Sequence, residues 1–99
     1  MIPITKPMLG EAEIAATAEA LRSGWVSQGP AVARFEQSFA TTVGAQYACA
    51  VSNCTTALHL ALRVVGVKPG DEVITVSHSF IATANSIRYC GAIPVFVDI

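Results

Sequence analysis

The apolar positions of this chain change period once, near residue 46. Before that point the period is helical. Ile14, Ala18 and Leu21 recur at three- and four-residue spacing, and Glu11, Glu13 and Glu19 fall between them. This predicts a helix over residues 10–22, stopped by Ser23-Gly24. The stretch Trp25-Val26-Ser27-Gln28-Gly29-Pro30 reads as a loop closed by a Gly-Pro turn. Pro30 suits a first helical position, where its missing N–H has no bond to lose. Val32, Phe35, Phe39 and Val43 then line one face of a second helix, which Gly44 ends.

Beyond residue 46 the apolar runs become short and continuous. Residues 47–51, 73–76 and 94–97 predict three strands of a parallel sheet covered on both faces. Two helical stretches separate them. Residues 55–65 are apolar almost all round, and residues 80–89 place Ile81, Ala84 and Ile87 on one side. The expected fold class is α/β. Residues 1–46 form a helical arm and loop, and residues 47–99 a β-α-β-α-β unit with parallel strands.

Composition changes the picture in one respect. Hydrophobic residues make up 53% of the 99 and charged residues 13%, against a usual charged share of roughly 25%. Small domains have proportionally more surface to cover, so the chain is expected to be an interior slice of a larger protein or to bury itself against a partner. The net charge of −1 and the lack of a basic run exclude a nucleic-acid role. No apolar stretch reaches the ~18 residues of a membrane span, and residues 1–7 lack the pattern of a signal peptide. Three cysteines, Cys49, Cys54 and Cys90, fit neither a disulfide framework nor a zinc site. Buried, reduced thiols in a cytoplasmic protein are the expectation.

The chemistry concentrates where elements meet. In Ser52-Asn53-Cys54-Thr55-Thr56 a strand runs through a tight turn into a helix. The first N–H groups of a helix have no partner within it, and its dipole favours an anion there. With the hydroxyls of Thr55 and Thr56 added, the segment reads as a phosphate cradle. Plain capping by Ser52 or Asn53 is the competing reading. The nucleotide-hydrolase loop, the dinucleotide fingerprint and the nucleophile elbow are all absent. Cys54 has no His or Asp placed by sequence to activate it as a nucleophile.

Phe80 follows Ser77-His78-Ser79 at the end of the second predicted strand. It is either a platform for a flat ring beside the cradle or part of the core. His59 reads as a hydrogen-bonded core residue and His78 as a loop residue at the ligand edge. Trp25 is a packing anchor or a piece of pocket wall, and Asp98 ends a strand at the edge where open α/β sheets bind ligands.

Five segments, in this order, resemble successive blocks of the DegT/DnrJ/EryC1/StrS aminotransferases. They are Gly24–Pro30, Ser52–Leu58, Pro69–Ile74, Ser79–Asn85 and Pro94–Asp98. The resemblance implies the N-terminal part of the large domain of the aspartate-aminotransferase architecture, the type I fold of pyridoxal 5'-phosphate (PLP) enzymes. It implies amino transfer, with glutamate as donor, to a keto sugar attached to a nucleotide. Thr55 and Thr56 would hold the cofactor phosphate with Cys54 beside them, and Phe80 would stack on the pyridine ring. Trp25 and Gln28 would lie on the substrate side, and the protein would be a homodimer.

The family's Schiff-base lysine has no counterpart here, so no catalytic residue is assigned. The only lysines are Lys6 and Lys68, and neither matches the lysine motif. A sugar dehydratase of the same family, with histidine at the lysine position, is one alternative. A non-catalytic phosphate-binding or interaction module is another.

Overall fold

A computed structural model describes residue 2 and residues 5–99. The chain divides into two compact units, Met1–Ala50 and Val51–Ile99.

The first unit contains α1 (Glu11–Arg22) and α2 (Pro30–Val43). At the start of α1 the Glu13 carboxylate reaches back to accept the Gly10 N–H at 2.7 Å. Glycine has no side chain to return the bond, so only half of a capping box is formed. Glu11 and Glu13 in the first turn and Arg22 in the last complement the helix dipole. Pro30 opens α2 as expected, and α2 stops where Gly44 turns left-handed (φ 69°), with Ala45 N–H bonded to Ala40 C=O at 2.9 Å.

One expectation fails in this unit. Among the described residues, 47–51 pair with no strand. A strand needs a ladder partner, and here the Ala50 N–H goes instead to a carboxylate oxygen of Glu36 at 2.7 Å. The apolar stripes of the helices also face outward. Ile14 and Leu21 on α1, and Phe35, Phe39 and Val43 on α2, are exposed, while Ala40 is the one buried residue of α2. Phe35 and Phe39 lie with ring centroids 5.8 Å apart.

The second unit runs α3 (Cys54–Val64), β1 (Glu72–Val76), α4 (Ala82–Tyr89), β2 (Ile93–Val97). The two strands pair in parallel, Glu72 opposite Ile93 through Val76 opposite Val97. Parallel neighbours require a crossover, and α4 provides it. The sheet therefore has two strands rather than three, and Ile74, Phe96 and Val97 remain exposed, so it is not covered on both faces. Helix α4 begins at Ala82, two residues later than expected.

The core of this unit is Ile87, Cys90 and Ala92, with Leu62, Val67 and Val73 packed against them. Of the cysteines only Cys90 is buried. Cys49 and Cys54 are exposed, because one lies on the unpaired run 47–51 and the other opens α3. His59 is half-buried and meets the Tyr89 ring edge-on at 5.7 Å rather than sitting in a hydrogen-bonded core.

Truncating Ile87 to alanine is expected to lower stability by about 2–5 kcal/mol, a large share of what a small domain has. Urea unfolding followed by far-UV circular dichroism should shift to lower urea or lose its transition. Ile14→Ala, on an exposed face, should stay within about 0.5 kcal/mol of the parent. Equal effects of the two would contradict this assignment of core and surface.

The Gly10 N–H bond, with that of Glu13's own backbone, holds the Glu13 carboxyl below the ordinary glutamate range. A depressed folded pKa means the contribution to α1 is present above the unfolded value and lost as pH falls through the folded one. Carboxyl carbon NMR should show Glu13 titrating below the ordinary glutamate range, with the first turn of α1 fraying in the same acid window. Glu13→Gln should abolish that pH dependence.

Candidate functional site

Helix α3 begins with Asn53 as its N-cap, in an extended backbone conformation (φ −167°, ψ 169°). The Asn53 Oδ1 accepts the Thr56 N–H at 2.9 Å and the Thr56 hydroxyl at 3.2 Å. The Asn53 Nδ2 donates to Ser52 Oγ at 3.3 Å, and Ser52 Oγ lies 3.3 Å from Thr56 Oγ1. The three side chains close a ring: Asn53 amide to Ser52 hydroxyl, Ser52 hydroxyl to Thr56 hydroxyl, Thr56 hydroxyl back to the Asn53 carbonyl. Each group acts once as donor and once as acceptor within it.

The ring sorts the donors of the turn. Capping by Asn53 leaves other donors of the turn uncommitted. Thr56 has both its donors committed to Asn53. The Ala57 N–H makes the first intrahelical bond, to Asn53 C=O at 3.1 Å. The Cys54 and Thr55 N–H groups precede that bond and have no partner within the helix. The Thr55 hydroxyl stands beside them with no bond to Asn53, and Thr55 itself is half-buried. No acidic residue occupies the first turn of α3, in contrast to α1. An anion placed here would meet two amide hydrogens and the positive end of the helix, worth roughly 0.3–1 kcal/mol from the dipole alone at an exposed site. The Cys54 thiol is exposed at the same turn.

Phe80 belongs to the same unit as this turn. It stands between β1 and α4 with 77% of its surface exposed, so it is not core. Its carbonyl accepts the Thr83 N–H at 3.0 Å, and Ser79 Oγ lies 2.7 Å from Thr83 Oγ1. These bonds tie the turn carrying the ring to the first turn of α4. Sequence reading missed the Ser79–Thr83 pair; its signal was the four-residue spacing of two hydroxyls across a helix start. His78 is exposed in that turn.

Trp25 and Gln28 lie in the first unit, in the loop between α1 and α2, and both are exposed. The Trp25 N–H donates to Ser23 Oγ at 3.2 Å. An open cleft of about 240 Å³ lies alongside, lined in part by Glu19, Ser23, Trp25, Pro30 and Arg34. Lys6 and Lys68 are exposed, and Lys68 is held through its backbone N–H to the Asp71 carboxylate at 2.8 Å. Among the described residues no cluster of His, Cys, Asp and Glu could hold a metal ion, and no helix is long and apolar enough to cross a membrane.

Comparison with known proteins bears on these arrangements. The chain is 52% identical over 98 residues to the spore coat polysaccharide biosynthesis protein SpsC of Bacillus subtilis, covering 99% of this chain and 25% of that protein. It is 46% identical over 98 residues to the UDP-4-amino-4-deoxy-L-arabinose–oxoglutarate aminotransferase of Shewanella sediminis, with the same coverage. Among solved structures, Spr1654 of Streptococcus pneumoniae in its PLP form superposes with a TM-score of 0.89 at 39% identity, over 99% of this chain and 25% of that one. The chain thus spans about a quarter of the length of these relatives. The model of the DegT/DnrJ/EryC1/StrS aminotransferase family matches residues 7–99, and with that match over nearly its whole length the chain belongs to this family.

Proposed function

We propose that this chain forms the cofactor-anchoring part of a PLP-dependent aminotransferase that moves an amino group, with glutamate as donor, onto a keto sugar carried by a nucleotide. The observation that carries the reading is the sorted first turn of α3, where Asn53 takes up Thr56 and leaves the Cys54 and Thr55 amides and the Thr55 hydroxyl for an anion. The donor set suits a phosphate ester: neutral hydrogen-bond donors at a helix start, with no carboxylate beside them. PLP, when bound, supplies the electron sink for amino transfer.

The chain's own residues bind and orient. Thr55 donates its hydroxyl and N–H to the phosphate and Cys54 adds its N–H. Thr56 braces the turn through Asn53. Phe80, exposed and tied to α4 through its neighbours, offers a face to the pyridine ring. Trp25 and Gln28 take the substrate side from their loop. The names of two relatives support a sugar substrate, and the arabinose enzyme's name pairs an amino sugar nucleotide with oxoglutarate. The exposed apolar stripes of α1 and α2 support coverage by further protein, as in a cytoplasmic homodimer.

Thr55→Val is expected to weaken PLP binding by roughly ten- to a hundredfold, the worth of one hydrogen bond to a charged group. Binding of pyridoxal, which lacks the phosphate, should stay unchanged. Equilibrium dialysis with both compounds checks this, and equal losses for the two would remove Thr55 from the phosphate site. The 99-residue chain by itself, supplied with PLP, glutamate and a nucleotide-linked keto sugar, is expected to form no 2-oxoglutarate, since neither Lys6 nor Lys68 stands in the family's lysine motif. Sustained turnover by the pure chain would defeat this division of labour.

A further inference from the structure

Gly29 precedes Pro30 at the start of α2, and its backbone does not explain why a glycine is there. Its φ of 175° is extended backbone that any residue adopts, and a following proline favours an extended conformation. As an N-cap, glycine is a modest choice beside Ser, Thr, Asn or Asp, and no side chain caps this helix. Glycine also costs more backbone entropy on folding than any other residue. A different constraint must favour it.

That constraint is Trp25. A Cβ built on Gly29 would stand 3.0 Å from Trp25 Cε3, 3.2 Å from Trp25 Cβ and 3.3 Å from Trp25 Cδ2. These are closer than carbon atoms settle in ordinary packing. The bare α-carbon of Gly29 therefore lies against the indole, at the corner made by its Cβ, Cδ2 and Cε3 atoms. The loop between them closes back on itself, with the Trp25 N–H on Ser23 Oγ at one end and the Gly29 carbonyl accepting the Ala33 N–H at 3.1 Å at the other. Gly29 itself is half-buried, while Trp25 keeps 60% of its surface exposed.

We propose that Gly29 is a positioning residue: its side-chain-free α-carbon is the seat of the Trp25 indole, and seating the indole fixes the loop that carries Gln28. One part of the indole is closed by the seat, and the exposed remainder is presented for contact with the flat base of a nucleotide. The inference rests on the reading that this loop serves the substrate side. The seat itself is a contact within the first unit and can be tested apart from that reading.

Trp25 is the only tryptophan in the chain, so its signals are unambiguous. The α-protons of Gly29 should carry a ring-current shift, and Trp25→Leu should abolish it. Gly29→Ala should remove more than half of the near-ultraviolet circular dichroism of the indole while far-ultraviolet helix content persists. In a Trp25→Ala background the same Gly29→Ala change should cost no stability, since the clashing partner is gone. If Gly29→Ala destabilises both backgrounds equally, or leaves the indole band intact, the seat is refuted. A milder variant, Gly29→Ser, keeps the test open should the alanine variant unfold, because it restores a capping hydroxyl while still filling the seat. Titration with uridine diphosphate addresses the reading beneath it. Quenching of Trp25 emission in the parent, weakened in Gly29→Ala, supports both. Absence of quenching in the parent, with the proton shift present, would overturn the substrate side alone.

Discussion

At the corner between α4 and β2 the chain passes from helix to strand within three residues. Gly91 turns left-handed at φ 73°, the Ala92 N–H returns to Ile87 C=O at 3.2 Å, and the Ile93 N–H bonds Asp71 C=O at 2.8 Å. The Gly91 carbonyl accepts the Gly70 N–H at 3.0 Å, and a Cβ on Gly91 would meet Pro69 at 3.1 Å. These bonds pin the turn before β1 to the turn before β2. The register of the parallel pair, Glu72 opposite Ile93, follows from them. So does the core, since Ile87, Cys90 and Ala92 flank the same corner. Only glycine combines the left-handed backbone with the close approach of the proline ring.

The candidate site depends on this corner at one remove. Register sets where β1 ends, and the end of β1 sets where the turn 77–81 leaves the sheet and presents Phe80. The cradle at α3 is built differently. Its order is local, contained in five consecutive residues, three of whose side chains bond one another. A closed set of hydrogen bonds among Ser52, Asn53 and Thr56 occupies three polar side chains of the turn and leaves the Thr55 hydroxyl outside it. Polar networks of this kind gain from being closed, because no member is left unpaired.

Much of this was legible from residue types. The helix starts at Pro30 and near Thr55, the stops at Gly44 and after Tyr89, and the two paired strands follow from capping chemistry and continuous apolar runs. These are local effects, decided by backbone groups within four residues of each other. The polar turn at Ser52–Thr56, capped by Asn53, was legible for the same reason. What it did not reveal was the division of labour between two adjacent threonines. That depends on which face of the first helical turn each hydroxyl takes relative to the Asn53 carboxamide.

The sequence by itself determined the α/β class and the family, because periodicity and short motifs are properties of neighbours along the chain. Tertiary structure decided what neighbours along the chain cannot. Residues 47–51 have the composition of a strand, yet a strand exists only where a second backbone answers it, and here Glu36 answers instead. The stripes on α1 and α2 have the spacing of buried faces, yet burial requires an opposing surface, which these helices do not give one another. Gly29 reads as punctuation before a proline. Only the approach of an indole from four residues away gives its missing side chain a reason.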